Sequence, residues 1–164
     1  ISPEKLKFSS YNEGENKELE AKVKITRTPT IAVLDKDGNY SGLKYSSLPS
    51  GHELNSFILG LYNVAGPGQK VAAESLEKIE KINKPVNIKI GISLSCTKCP
   101  KTVQATQRIA TLNKNVEMEM INIFTFQDFK NRYDIMSVPA IIVDDQHIYF
   151  GEKTVEDVLE IINK

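Results

Sequence analysis

Residues 86–100 have the sequence VNIKIGISLSCTKCP and contain the only two cysteines of the chain, Cys96 and Cys99. The alternation of apolar and polar residues over 86–93 predicts a strand. Pro100 indicates that a helix begins beside the cysteines, because its missing N–H is not needed in a first helical turn. The unpaired N–H groups and the positive dipole end of such a helix stabilise a thiolate. A second thiol one turn away can close a disulfide with it, so the spacing predicts reversible thiol–disulfide exchange.

Composition limits the classes of function that fit the chain. Its 164 residues suffice for one ordinary domain or two small ones. The 21 basic residues balance the 21 acidic residues, which gives no electrostatic reason to expect a nucleic acid or an anionic membrane as a partner. The longest apolar run, residues 57–62, is too short to span a bilayer. A single close cysteine pair is not a secreted disulfide framework, and it favours a reducing cytoplasm.

The spacing of apolar residues predicts the elements that follow the first strand. They are a helix that ends at residue 112, a strand over 116–123, a short helix over 126–133, a strand over 140–143, a hairpin turn at 144–146, a strand over 147–150 and a final helix over 155–162. The resulting order is β-α-β-α-β-β-α, and an amphipathic helix over about 71–83 precedes it.

The first part of the chain repeats the second half of this pattern. Residues 28–35, TPTIAVLD, parallel residues 138–145, VPAIIVDD, and a helix with one apolar side over 54–61 parallels the final helix. Residues 6–8 are interpreted as a further strand, and the charged run over 13–24 as a solvated helix face. The first part has no counterpart of residues 86–112 and no cysteine, and residues 65–69 are interpreted as the joint between the two parts.

These features together resemble the N-terminal domain of the flavoprotein component of alkyl hydroperoxide reductase. The matching stretches are GHE at 51–53, SLSCTKCP at 93–100 with VQA at 103–105, and SVPA at 137–140. The resemblance implies an α/β chain of tandem thioredoxin-like folds. Residues 1–68 then form a first fold that is incomplete at its N-terminus and lacks cysteines, and residues 69–164 form a second fold that carries the active dithiol.

The resemblance also implies a function for the dithiol. A thiol–disulfide oxidoreductase of this family relays two electrons from a flavoprotein reductase, or from a fused flavin domain, to the disulfide of a peroxiredoxin. No cofactor site is expected within this chain, because the glycines at 66 and 68 follow a helix pattern and lack the third glycine of a dinucleotide fingerprint. FAD and NAD(P)H are expected in a partner or in a domain outside this sequence, and neither a nucleic acid nor a membrane is expected as a partner.

Two other functions compete with this interpretation. A general protein disulfide oxidoreductase or isomerase resembles the archaeal tandem-thioredoxin proteins, which usually carry a dithiol in each fold. A redox-inert interaction domain or a zinc module is the alternative of a different class. Zinc is disfavoured because a structural site needs four ligands, and His52 and His147 are not expected to converge on the single cysteine pair.

The candidate site residues extend beyond the two cysteines. Cys96 is predicted to be the attacking thiolate that faces solvent and Cys99 to be the resolving thiol. Thr97 and Lys98, between them, are predicted to face the substrate. The thioredoxin resemblance implies a cis Val138–Pro139 bond, which places the Val138 backbone beside the disulfide for pairing with an extended substrate.

Glu53 has two competing interpretations. The string SGHE at residues 50–53 matches a capping box, in which the glutamate side chain accepts a hydrogen bond from the backbone N–H of the cap residue. The family resemblance instead implies a carboxyl group that the first fold places close to the dithiol, where it helps to move protons. The sequence leaves both interpretations open.

Overall fold

The computed structural model describes residues 6–163, which form six helices and six strands. In chain order these are α1 (Lys17–Lys22), β1 (Thr30–Leu34), β2 (Tyr40–Ser46), α2 (Glu53–Ala65), α3 (Ala73–Glu80), β3 (Val86–Ile92), α4 (Cys99–Leu112), β4 (Val116–Asn122), α5 (Gln127–Arg132), β5 (Ala140–Val143), β6 (His147–Phe150) and α6 (Val155–Ile162). The predicted β-α-β-α-β-β-α order is confirmed from β3 to α6. Over the described residues, no helix is both long and apolar enough to cross a bilayer.

All six strands form one mixed sheet in the order β1-β2-β4-β3-β5-β6. Strands β2, β4 and β3 are parallel to one another, whereas β1, β5 and β6 pair antiparallel with their neighbours. The pairing of β2 with β4, from Leu43 opposite Met118 to Ser46 opposite Ile121, joins the two parts of the chain into a continuous sheet. The α/β class and the thioredoxin-like arrangement are therefore confirmed.

The sheet has an apolar core on each face. The larger core contains the alternate side chains Ile88, Ile90 and Ile92 of β3, which pack with buried residues of α3, α4 and α6. The smaller core lies on the opposite face, where α5 covers β5 and the end of β4. Because successive side chains of a strand point to opposite faces, β3 contributes to the larger core through every second residue.

The N-terminal repeat, α1-β1-β2-α2, has the same element order as the C-terminal repeat, α5-β5-β6-α6. The correspondence extends to the backbone. Lys24, after α1, and Asp134, after α5, both have positive φ, at 55° and 46°. The bonds Thr28–Pro29 and Val138–Pro139, which precede the two matching hairpins, are both cis. The internal repeat predicted from the sequence is thus present in the structure.

Two predictions for the N-terminal repeat need revision. Residues 6–8 do not form a strand, and Phe8 is well exposed because no neighbouring strand pairs with this short run. The charged run over 13–24 does contain a helix with no buried residue, as predicted, but that helix spans only Lys17–Lys22. The shorter bounds follow from the local caps, since Asn16 accepts the N–H of Leu19 at 3.1 Å and begins the helix there.

Helix α2 buries only half of the apolar side that its spacing indicates, since Phe57 and Leu61 pack against the larger core whereas Leu54 and Ile58 face solvent. Leu54 and Ile58 are 50% and 47% exposed. The buried positions of this helix are instead Glu53, Ser56, Gly60 and Asn63. The reason is the close packing of α2 on α4, where small side chains and a glycine admit polar groups. The hydroxyl of Tyr45 donates to Gln107 Oε1 at 2.8 Å within this contact.

Gly60→Ala is expected to destabilise the fold by about 1–3 kcal/mol, the usual range for an overpacked core site. A methyl group at this position meets the Tyr45 hydroxyl oxygen at 2.1 Å and Gln107 Oε1 at 3.2 Å. The higher helix propensity of alanine offsets at most about 1 kcal/mol. Urea denaturation measures the change in the free energy of unfolding. In a Tyr45→Phe background, which removes the clashing oxygen, the same substitution is expected to cost less; an equal cost in both backgrounds contradicts the packing argument.

Candidate active site

Cys96 and Cys99 form a disulfide at the junction between β3 and α4, with their Cα atoms 5.5 Å apart. Helix α4 begins at Cys99, so Cys96 lies in the turn that precedes the helix. Cys99 is fully buried, whereas Cys96 is partly exposed. An acceptor therefore has direct access to the sulfur of Cys96 and not to that of Cys99.

The first backbone amide of α4 points at the exposed sulfur. The N–H of Cys99 lies 3.1 Å from Cys96 Sγ. This amide is one of the N–H groups at a helix N-terminus that have no partner within the helix, and it favours negative charge on the atom it faces. After reduction of the disulfide, the same amide stabilises a thiolate at Cys96.

The loop before β5 lies against the disulfide. The carbonyl oxygen of Val138 is 3.9 Å from Cys96 Sγ, and the Val138–Pro139 bond is cis, as predicted. Pro139 is buried, and its carbonyl accepts the N–H of Gly151 at 2.9 Å. Within residues 6–163, the N–H of Val138 has no hydrogen-bond partner. The loop is therefore anchored after Val138, while the N–H of Val138 itself is left without a partner among these residues.

Thr97 and Lys98 are both exposed in the turn between the cysteines. Lys98 occupies the N-cap position of α4 and makes no side-chain cap bond. Its side chain therefore contributes charge at the surface beside Cys96 rather than local helix stability. The structure places both residues at the same end of the sheet as the disulfide.

Glu53 is buried and does not form the capping box. The N-cap of α2 is His52, which has no side-chain cap bond, and the N–H of Glu53 donates to the carbonyl of Ser50 at 3.0 Å. The carboxylate turns into the protein, where neither oxygen has a hydrogen-bond partner among the described residues. Desolvation raises the pKa of Glu53 from 4.5 to about 7, and the nearby Ser56 hydroxyl opposes this rise.

The contacts between α2 and α4 show where the Glu53 carboxyl group lies relative to the first turn of α4. Gln107 Nε2 donates to the Ser56 carbonyl at 3.0 Å, and Gln104 Nε2 lies 3.4 Å from Ser56 Oγ. Further along, Gly60 packs beside Gln107, so the two helices run in the same direction. Glu53 precedes Ser56 by one turn and therefore lies level with the first turn of α4, which begins at Cys99.

A second contact joins the N-terminal repeat to the loop that carries Cys96. The N–H of His52 donates to the carbonyl of Leu94 at 3.1 Å. Gly51 has φ of +54°, and a Cβ at this position meets the same carbonyl oxygen at 2.5 Å. Only glycine fits this close approach to the carbonyl of Leu94. Leu94 lies two residues before Cys96 in the chain. The sequence reasoning missed the Leu94 contact, and the only signal for it was the glycine in the GHE string.

The fold and the site together define a thioredoxin-like thiol–disulfide oxidoreductase domain with one redox-active cysteine pair. The family described as thioredoxin domain matches residues 86–163. This span begins at β3 and includes the disulfide, the cis-proline loop and α6.

The relatives identify the family more closely. The chain is 33% identical to the alkyl hydroperoxide reductase protein AhpF of Staphylococcus epidermidis over 89% of this chain and 29% of that protein. It is 39% identical to the crystal structure of the NTD_N/C domain of AhpF from Enterococcus faecalis, with a TM-score of 0.89, over 93% of this chain and 73% of that one. The chain belongs to the AhpF family of alkyl hydroperoxide reductase proteins and corresponds to the N-terminal domain of that family. The chain spans less than a third of the length of the Staphylococcus epidermidis protein.

One more solved structure shares the fold. The protein disulfide oxidoreductase from Aeropyrum pernix has a TM-score of 0.81 at 21% identity over 91% of this chain and 64% of that one. This similarity shows that the same continuous arrangement of strands and helices occurs at a low level of sequence identity.

Proposed function

We propose that this chain relays two electrons from a reduced flavoprotein to the disulfide of a peroxiredoxin through Cys96 and Cys99. The observation that carries the proposal is the position of Cys96. Its sulfur is partly exposed, faces the Cys99 N–H at 3.1 Å and lies beside Val138. Membership of the AhpF family supports an acceptor linked to peroxide reduction.

The exchange proceeds in two displacements. The Cys96 thiolate attacks one sulfur of the acceptor disulfide, which forms a mixed disulfide and releases the other acceptor sulfur as a thiolate that takes up a proton. Cys99 then loses its proton and attacks Cys96 Sγ, which releases the second acceptor thiol and restores the Cys96–Cys99 disulfide. Over the whole exchange the acceptor gains two electrons and two protons. The dithiol loses two electrons and two protons, that of Cys96 when the thiolate forms and that of Cys99 in the resolving step.

Glu53 is assigned the proton transfer at Cys99. Cys99 is fully buried, so its proton needs an acceptor inside the protein when the resolving step begins. Glu53 is buried, lacks a hydrogen-bond partner among residues 6–163, and lies level with the first turn of α4. A carboxyl group with a pKa of about 7 can both accept and return a proton near neutral pH.

The binding of the acceptor segment is assigned to the loops around the disulfide. An extended peptide pairs with the backbone of Val138, whose carbonyl oxygen lies 3.9 Å from Cys96 Sγ. Thr97 and Lys98 follow Cys96 in the exposed turn between the two cysteines. The proposed substrate-binding set consists of Val138, Pro139, Thr97 and Lys98.

This assignment gives the two parts of the chain different roles. We assign residues 1–68 to a degenerate, truncated fold that supports the site and residues 69–164 to the fold that performs the exchange. FAD and NAD(P)H are assigned to a partner or to a domain outside this sequence, and the cytoplasm is the proposed location.

A single-turnover reaction tests the proposal. The chain is reduced, freed of reductant and mixed with an oxidised peroxiredoxin or, in parallel, with insulin as a general disulfide substrate. The expected result is one acceptor disulfide reduced per dithiol, with a second-order rate constant at least about tenfold higher for the peroxiredoxin, since partner-specific contacts alone change such rates by this factor. Equal rates for the two substrates contradict the proposed acceptor and favour the general oxidoreductase.

A further inference from the structure

Ser56 is a hydroxyl residue on α2, one helical turn after Glu53. Both side chains are fully buried, and residues three apart are neighbours on the surface of a helix. Neither carboxylate oxygen of Glu53 has a hydrogen-bond partner among the described residues. A buried carboxylate is strongly disfavoured unless hydrogen-bond donors face it. Ser56 is therefore placed to supply a hydrogen bond when Glu53 ionises.

The contacts of the Ser56 hydroxyl leave its proton available for such a bond. Over residues 6–163, Ser56 Oγ has one hydrogen-bond partner, Gln104 Nε2 of α4, at 3.4 Å. An amide NH2 group only donates, so Ser56 Oγ is the acceptor in this contact and its own O–H points elsewhere. The buried hydroxyl of Thr106 on α4 differs, because it donates to the Thr102 carbonyl of its own helix at 2.9 Å.

Helix α4 also holds the backbone of Ser56. Gln107 Nε2 donates to the Ser56 carbonyl at 3.0 Å, and the Tyr45 hydroxyl donates to Gln107 Oε1 at 2.8 Å. Gln104 and Gln107 are three residues apart on α4, so both amides reach α2 from the same side of their helix. The two glutamines therefore hold the backbone and the hydroxyl of Ser56 in place beside the Glu53 carboxyl group.

We propose that Ser56, oriented by Gln104, donates a hydrogen bond to the ionised carboxylate of Glu53 and so allows this group to form and to take the proton of Cys99. The inference rests on the proposed function, in which Glu53 is the proton acceptor. Ser56 and Gln104 are positioning residues, because they act through Glu53. Burial raises the pKa of Glu53 to about 7, and the Ser56 hydroxyl opposes this rise.

The elements packed around Glu53 bring few other titratable groups to it. Strand β1 has none, and β2 contributes Tyr45, which keeps its proton because burial and the Glu53 charge raise its pKa above the usual range. Lys44 points to the opposite face of β2. Cys99 on α4 does not titrate while it is in the disulfide. The remaining nearby groups are exposed, namely His52, Lys98 and Lys101. Among the residues that the structure describes, no cation offsets the burial of Glu53.

The variant Ser56→Ala tests the hydrogen bond directly. Carbon-13 NMR of the Glu53 carboxyl carbon follows its ionisation in the oxidised protein, where neither cysteine titrates. The midpoint of this titration is expected to rise by about one pH unit in the variant, because loss of a hydrogen bond to a charged group changes an ionisation equilibrium by about tenfold or more. An unchanged midpoint overturns the proposal.

Gln104→Leu tests the direction of the hydrogen bond between α2 and α4. The midpoint for Glu53 is expected to rise, by less than in Ser56→Ala, because Ser56 keeps its hydroxyl but loses the donor that orients it. A lower midpoint shows that Ser56 donates to Gln104 in the native protein, and it overturns the proposal. Thr106→Val removes another buried hydroxyl of this contact region and is the matched control, with an expected midpoint equal to that of wild type.

The pH–rate profile of the resolving step connects the hydrogen bond to the exchange reaction. Cys96 does not titrate in this step, because its sulfur is in the mixed disulfide. Ser56→Ala is expected to move the transition upward by about one pH unit, so that the step slows about tenfold near pH 6 and keeps the wild-type rate near pH 9. An equal loss at every pH indicates a structural effect only and overturns the proposal. A shifted midpoint for Glu53 with an unchanged rate profile overturns the proton-transfer role proposed for Glu53, while the contact with Ser56 stands.

Discussion

Cys96→Ser is expected to abolish disulfide reduction, with a loss of more than about a thousandfold, because removal of an attacking nucleophile leaves no alternative route. Cys99 cannot replace it, since its sulfur is fully buried behind the first turn of α4. The single-turnover reaction with the oxidised acceptor measures the loss. Circular dichroism and urea denaturation of the same variant establish that the fold is retained.

Cys99→Ser is the complementary variant and is expected to accumulate a mixed disulfide between Cys96 and the acceptor. The exposed thiolate still attacks, but the resolving thiol is missing, so the reaction stops after the first displacement. Non-reducing electrophoresis and mass spectrometry detect the adduct. If Cys96→Ser traps the acceptor instead, the two roles are reversed and the accessibility argument fails.

The sequence predicted the elements around the dithiol well because local signals agree there. The apolar alternation over residues 86–93, the cysteine pair and Pro100 all indicate a strand followed by a helix, and the structure has β3 and α4 at these positions. The parallel between residues 28–35 and 138–145 predicted the internal repeat, which the shared order of elements in α1-β1-β2-α2 and α5-β5-β6-α6 confirms. These predictions depend on short-range patterns that tertiary packing did not override.

The predictions that failed depend on packing between distant parts of the chain. The spacing of apolar residues over 54–61 indicates one apolar helix side, but α2 packs on α4 through Ser56 and Gly60. Phe57 and Leu61 therefore reach the core, while Leu54 and Ile58 remain exposed. A helical period identifies which residues share a side of the helix and not which side a neighbour covers. The strand at residues 6–8 failed similarly, because no partner strand lies beside it.

Glu53 is a second case in which a local sequence pattern does not give the packing of a side chain. The string at residues 50–53 is compatible with a capping box and with a buried carboxyl group, since both begin a helix with the same residue types. The structure favours burial because Gly51 and His52 pack against the Leu94 carbonyl, which holds the start of α2 against the dithiol loop. This contact depends on the pairing of β2 with β4 across the repeat, which no local pattern encodes.

Glu53→Gln is expected to remove a large pH dependence of stability. The native pKa of Glu53 is about 7, above its ordinary value of 4.5. Below about pH 4.5 the carboxyl group is protonated in both the folded and the unfolded chain. Between 4.5 and 7 the unfolded chain ionises while the folded chain keeps its proton, so stability falls as the pH rises. Above pH 7 the loss in the free energy of unfolding levels off at about 3 kcal/mol, which is the free energy that corresponds to this pKa difference.

Urea denaturation between pH 4 and 8 measures this effect in wild type and in Glu53→Gln. Glutamine has nearly the same shape and does not titrate, so the stability of the variant relative to wild type is expected to rise by about 3 kcal/mol over this range. Other titrating groups contribute equally to both proteins and cancel in the difference. Parallel stability curves contradict a buried carboxyl group with a raised pKa.

The kinetic effect of the same variant separates a proton-transfer role from a structural one. If Glu53 accepts the Cys99 proton, Glu53→Gln slows the resolving step at least about tenfold, since a positioned acid–base group contributes this much or more. The pH–rate profile of that step is also expected to lose the transition near pH 7 that reflects the carboxyl group. Single-turnover release of the reduced acceptor measures the step directly. An unchanged rate and profile, with the stability effect intact, limits Glu53 to a structural role, because a capping or packing group acts on the free energy of unfolding and not on proton transfer at Cys99.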